Sequence, residues 1–318
     1  MKKYIIVALL ILSANSLIRA HHGLEGMVSI NGSSSGVSYN LQKNQLLLKL
    51  GLSYWGFNAL SNEYLYSGKT NLINLSSAET SPVTLVYGLT DKLSLIGLFS
   101  YANLSYENWT GITESPVMTN VSGFMNPQIG LSYNVLSKNN WAINTGGFVK
   151  LPIGKSSSQK ENINENLNTN SWDPSAMLMI MKSVNKLTFS SYNLYTYSIK
   201  NSDGIRFGNV LSHRVLFNYK AYSSCCDESS CSSEPNFISG LTLNAGYIFE
   251  NQELSRKDGF SIQNTGGSRL FLNTGIKLTI KEDFLIPIQV NIPLAENLNG
   301  IQNSSMIRGE IGLSFLLH

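Results

Sequence analysis

From Leu270 to the end of the chain, apolar and polar positions alternate with period two, three times over. Leu270, Leu272, Thr274, Ile276, Leu278 and Ile280 fall on one face of a strand, with Phe271, Asn273, Gly275, Lys277 and Thr279 on the other. After Lys281-Glu282-Asp283 the pattern resumes, with Phe284, Ile286, Ile288, Val290, Ile292 and Leu294 against Pro287, Gln289, Asn291 and Pro293. The last run sets Ile307, Ile311, Leu313, Phe315 and Leu317 opposite Arg308, Glu310, Gly312 and Ser314. Successive side chains of a strand point to opposite faces, so each run has one greasy and one wet face. Strands of about ten residues with charges at wet positions fit a membrane barrel around an aqueous interior.

The rest of the chain repeats the pattern between short turns and long polar loops. Strands are predicted over Gln45–Asn58, Pro82–Leu89, Leu93–Leu104, Asn126–Leu136, Trp141–Leu151, Asp173–Val184, Leu187–Ile199, Phe207–Ala221, Phe237–Asn251 and Gly266–Lys281, before the final two. That makes twelve, an even number, as bacterial barrels require. The predicted fold is all-β, a single transmembrane antiparallel β-barrel. Long loops, among them 62–77, 108–120, 156–170 and 252–264, are expected outside the cell and short turns in the periplasm. Tyr54, Trp55, Phe57, Tyr87, Tyr101, Trp141, Tyr195, Tyr219, Tyr247, Phe284 and Phe315 lie near strand ends, where interfacial girdles belong.

The amino terminus gives the address. Lys2 and Lys3 precede an apolar run, Tyr4 to Leu12, too short for a membrane helix and of the size of a secretory signal core. Residues 1–20 are read as a signal peptide cleaved after Ala20, and 21–318 as the barrel with a short periplasmic amino-terminal segment. Hydrophobic residues make up 42% and charged residues 14% of the 318, but the apolar ones are dispersed in alternation. A net charge of +3 without a basic aromatic stripe excludes nucleic acid as a partner. Outer-membrane lipids, the barrel assembly machinery and small solutes are the expected partners, the cell outer membrane is the expected site, and no cofactor is expected.

Several blocks resemble the outer-membrane barrel family named for the meta pathway of phenol degradation. They are Val83-Thr84-Leu85-Val86-Tyr87-Gly88-Leu89-Thr90-Asp91-Lys92-Leu93, Asn126-Pro127-Gln128-Ile129-Gly130-Leu131, and Lys150-Leu151-Pro152-Ile153-Gly154. Asn264-Thr265-Gly266-Gly267 and Ile292-Pro293-Leu294 continue the series. The resemblance implies transport of small or aromatic molecules across the outer membrane.

Charges of lumen parity are the candidate selectivity residues: Lys49, Lys150, Arg214, Lys220, Lys277, Arg308 and Glu310. Closure of the barrel makes the first and last strands neighbours, which would bring Lys49, Arg308 and Glu310 close together, with Lys277 two strands away. Such a cationic constriction would favour anions, and the same charges could equally form a plug that fills a narrow barrel. His213 has apolar parity and points away from Ser212, so no catalytic triad is legible. With GxSxG and HExxH also absent, no enzyme is expected. The expected function is a channel for small solutes, hydrophobic or aromatic ones among them. Its alternative is a non-conducting envelope barrel with a structural, adhesive or metal-responsive role. An exported β-sandwich is a third class, disfavoured by the number and length of the strands.

Cys225, Cys226 and Cys231 form the one anomaly. In an oxidising periplasm Cys231 is expected to bridge one of the vicinal pair, leaving one thiol over. Binding of a metal such as Zn²⁺ or Cu⁺ with Asp227, Glu228 and Glu234 is the alternative. Peptide mapping without reduction should find the bridge, and a membrane-impermeant thiol reagent should label the remaining cysteine only after the outer membrane is permeabilised. Labelling of intact cells would reverse this topology, and stoichiometric metal on fully reduced protein would favour the alternative.

Overall fold

A strand with one apolar face cannot lie alone in a bilayer, because its N–H and C=O groups would find no water there. Its edges must pair until none is left. The computed structural model, which describes residues 41–61, 65, 72–109, 117–156, 168–223, 238–280 and 284–317, shows how they do so. The signal segment 1–20 and the three cysteines lie outside the described residues.

The strands are β1 (Leu46–Phe57), β2 (Leu72–Gly88), β3 (Leu93–Trp109), β4 in two segments (Val117–Phe124 and Gln128–Lys138), β5 (Trp141–Lys150) and β6 (Asp173–Val184). They continue as β7 (Leu187–Thr196), β8 (Val210–Ser223), β9 (Ile238–Gln252), β10 (Gly267–Ile280), β11 (Phe284–Leu298) and β12 (Ser305–Leu317). Each pairs antiparallel with the next, and β1 pairs with β12 from Leu46 opposite Leu317 to Phe57 opposite Ser305. The result is a closed up-and-down barrel of twelve strands, as the alternation predicts.

The fourth strand is broken where Pro127 has no N–H to give to the ladder. Its second segment pairs with the first half of β3, and its first segment with the outer half. At one end of the barrel the connections are tight: Asn139 and Asn140 take φ of 52° and 62°, both in the left-handed region that a two-residue hairpin turn needs. At the other end they are long. The strands flanking the cysteine segment, β8 and β9, meet it at the turn end.

Four strands outrun their prediction: β2 starts at Leu72 rather than Pro82, β3 continues to Trp109 rather than Leu104, β4 starts at Val117 rather than Asn126, inside the predicted loop 108–120, and β11 continues to Leu298. Beyond the bilayer both faces of a strand meet water, and the alternation that betrays a strand disappears. Leu72 to Ser81 reads Leu-Ile-Asn-Leu-Ser-Ser-Ala-Glu-Thr-Ser, with no period in it. The last six residues of the predicted loop 62–77, from Leu72 on, are therefore strand. Two-residue strands at Ile205–Arg206, Arg256–Lys257 and Phe260–Ser261 also join two of the long loops into a small sheet.

Burial runs opposite to that of a soluble sheet. In the second segment of β4, Gln128, Gly130, Ser132 and Asn134 are buried, whereas Ile129, Leu131 and Tyr133 are exposed. The polar face looks into the lumen and the apolar face outward, toward lipid. A depth-graded cost follows. Leu272, outward and near the middle of β10, should cost about 2–4 kcal/mol when replaced by Arg, and Leu278, two residues from the turn end, about 0–1. Urea unfolding of the protein in lipid vesicles measures both, and equal costs would contradict this placement.

Candidate solute pathway in the lumen

Because parity in each strand is fixed by the ladder, register alone decides which inward side chains meet. Asn273 of β10 lies opposite Asn291 of β11, and Asn291 opposite Arg308 of β12, with Gln289 opposite Glu310. Asn273 Nδ2 donates to Asn291 Oδ1 and to Gln289 Oε1, and Asn291 Nδ2 donates to Glu310 Oε1 at 2.9 Å. An amide carries donor and acceptor together, so a run of amides can bond along itself, although Asn273 Oδ1 accepts from no donor among the described residues. This run is at most 1% exposed.

At the loop end the inward charges are paired. Arg308 Nη2 donates to Glu250 Oε1 at 3.0 Å, reaching from β12 to β9, three strands away. Arg269 Nε donates to Glu296 Oε1 at 3.1 Å, and Glu296 also accepts from the backbone N–H and hydroxyl of Ser305. The indole of Trp55 lies against both cations, with Arg308 Cζ 4.9 Å and Arg269 Cζ 5.7 Å from its ring centre. Arg308 also lies 4.6 Å from the ring of Phe271. Two ion pairs and an aromatic group thus close over the loop-end mouth. On the opposite wall Lys150 Nζ meets Asp173 Oδ2 at 2.6 Å, and Asp173 accepts from the backbone N–H of Ile199.

The inner wall also carries apolar side chains in two clusters. One gathers Trp55, Ala78, Leu104, Val121, Ile248 and Phe271 at the loop end. The other gathers Leu47, Val86, Ile96, Phe148, Met177 and Tyr192, beginning at the turn end of β1 and β2. Phe148 has its place because Gly130 beside it has no Cβ, which would stand 2.4 Å from the Phe148 ring. The ladder joins the clusters through Met179 opposite Tyr192, Tyr192 opposite Arg214, Arg214 opposite Ile248, and Ile248 opposite Phe271. Two apolar clusters therefore line the lumen wall, and the ladder path between them, the apolar track, is interrupted by the guanidinium of Arg214.

Lys49, Lys150, Arg214, Lys277, Arg308 and Glu310 face inward, whereas Lys220, predicted with them from parity, is exposed near the turn end of β8. Their grouping differs from the expectation. Lys49 is opposite Ser314, whereas Glu310 is opposite Ser53 and Arg308 opposite Trp55, so Lys49 stands roughly 14–20 Å along the strand from them. Lys49 interacts electrostatically with Lys277 instead. Trp55 and Phe57, which nearness to the strand end places in the lipid girdle, are 3% and 9% exposed and pack in one cluster with Phe271 inside the lumen. Their parity with Lys49 is the signal. Parity also identifies the charges that sequence reasoning passed over: Glu250 matches Asn244, and Arg269 matches Asn273. His213 faces outward and is hydrogen-bonded through both ring nitrogens, Nδ1 to Asn193 Oδ1 at 2.6 Å and Nε2 to Tyr247 OH at 3.0 Å. Among the described residues no group of three metal-ligating side chains occurs.

An outer membrane channel from Pseudomonas putida F1 has a similar fold, with a TM-score of 0.59 and 12% sequence identity, over 87% of this chain and 97% of the channel. The P. putida toluene transporter TodX is a looser match, at a TM-score of 0.44 and 13% identity, over 95% of this chain and 96% of that one. No functionally curated protein matches the sequence. The family model described as "Putative MetA-pathway of phenol degradation" matches residues 76–292, more than half of the chain, and the protein belongs to that family.

Proposed function

We propose that this chain is an outer-membrane channel that passes small solutes with an apolar or aromatic body. The apolar track carries the proposal. The interior of a water-filled porin is polar, and apolar groups facing such a channel would forfeit burial. Here Met, Leu, Phe and Tyr side chains follow one another along the wall. These side chains are themselves buried, so a solute with a hydrocarbon body passes by taking over their mutual contacts, while the amide run and the charges opposite hold its polar end. Lys277 and the other inward cations tilt the pore toward anions, and the long loops face the outside of the cell.

A non-conducting envelope barrel is the second possibility. It is favoured by the near-complete burial of Asn273, Gln289, Asn291 and Arg308, each at most 1% exposed. Such burial fits a lumen filled by its own side chains.

Single-channel recording in planar bilayers separates the two. The proposal expects discrete conductance steps from the wild type, larger steps when Arg308 and Glu250 are both replaced by Ala, and weaker anion preference in Lys277→Ala. Replacing the pair together avoids leaving one buried charge without its partner. Silence from both the wild type and the double variant, each folded by its heat-modifiable gel mobility, would favour the non-conducting barrel.

A further inference from the structure

We infer that the loop-end cluster around Trp55 and Arg308 is a binding subsite for a small aromatic carboxylate. The inference rests on the channel function proposed above and names the solute class that its mouth would hold. Arg308 uses only Nη2 in its bond to Glu250. Its Nε–H and its Nη1 group have no acceptor among the described residues, although the side chain is 1% exposed. The indole N–H of Trp55, 3% exposed, has none either. Buried donors of this kind are costly to leave unmade. All belong to one group, since the guanidinium lies 4.9 Å from the Trp55 ring centre and 4.6 Å from that of Phe271.

The ligand chemistry follows from what these atoms lack. Unmet donors on two side chains call for a group with several acceptor lone pairs, which a carboxylate has and a single hydroxyl lacks. Charge-assisted bonds from a guanidinium make that acceptor anionic. The walls are rings: Trp55 and Phe57 have centroids 4.9 Å apart, and Phe271 meets Trp55 edge-on at 6.2 Å. They touch one another, so a planar aromatic body would take its place among them by displacing one of these ring contacts. At the mouth itself Arg308 and Arg269 are matched by Glu250 and Glu296, so it is the unmet guanidinium donors that favour an anion there, the inward cations Lys49 and Lys277 lying toward the turn end. A neutral phenol would meet only part of this set, with its O–H directed to Glu250 Oε2, which also lacks a partner.

The test uses the full chain folded in detergent micelles and isothermal titration with benzoate, acetate, benzamide and phenol. Saturable benzoate binding, at least about tenfold tighter than that of the other three, is expected, since the bond to a charged group and the ring contact are both needed. The double variant Arg308→Gln with Glu250→Gln keeps side-chain size and leaves no lone charge, and Trp55→Phe keeps a ring but removes the N–H. Each should weaken benzoate by about tenfold or more while keeping the heat-modifiable mobility of a folded barrel. Benzoate binding unchanged in the double variant, or acetate or phenol binding as tightly as benzoate, would overturn the inference. Conductance recorded without benzoate tests the channel function separately: a conducting barrel that ignores benzoate refutes the subsite alone, and a silent barrel that binds benzoate refutes the channel alone.

Discussion

The ladder between β1 and β12 is the constraint on which the rest of the molecule depends. Without it the barrel would present two strand edges to hydrocarbon, where every unpaired N–H and C=O costs several kcal/mol. The ladder also fixes parity across the seam. Shifting its register by one residue would turn Lys49 toward lipid and Leu48 into the lumen, and would carry Trp55 away from Arg308. The position of every inward group on β1 therefore follows from backbone pairing, with side-chain chemistry acting afterwards.

Once the wall is closed, the lumen becomes an environment that the protein must furnish for itself. Twelve strands enclose little space, and the inward residues fill much of it by satisfying one another. Amides do so along the neighbouring strands β10 and β11, where donor and acceptor arrive in register. Charges do so across the barrel, because an arginine is long enough to reach a carboxylate three strands away. Arg308 and Glu250 thus tie two parts of the wall that share no backbone hydrogen bonds. Buried pairs of this kind recover their desolvation only when neighbouring groups help, and here the rings of Trp55 and Phe271 supply part of that help.

The alternation made the twelve staves and their closure legible, because lipid on one side and lumen on the other impose period two over each bilayer-spanning segment. It made direction legible as well, so Lys277 and Arg308 could be placed inside from sequence alone. Distance along the barrel is not legible: it depends on register across the seam, which no single strand encodes, and so the sequence alone groups Lys49 with Arg308. The outer parts of β2 and β3 stayed hidden because water on both faces removes the pattern. Trp55 was misplaced for a different reason. Proximity to a strand end suggested the interface, while parity, the stronger signal, placed it inside. The pairing of Lys150 with Asp173 was hidden in the same way as the seam, since the two residues lie on either side of a long loop and only the ladder shows that they are opposite.

What remains for movement is decided by the same hierarchy. The strands are held by continuous ladders, so opening the lumen by separating them would break many hydrogen bonds at once in a medium without replacements. The side chains at the loop-end mouth are held more lightly. Arg308 is fixed by one hydrogen bond to Glu250 and by two ring faces, interactions that an incoming solute can exchange one for one. The apolar track begins where those groups lie, since Trp55 and Phe271 belong to both. In the proposed channel, a solute entering there would meet the same atoms that hold the ion pair. In the channel proposed above, solute selection at this mouth would be set by how well a molecule meets the donors of Arg308 that Glu250 leaves unmet, while the diameter of the barrel stays constant.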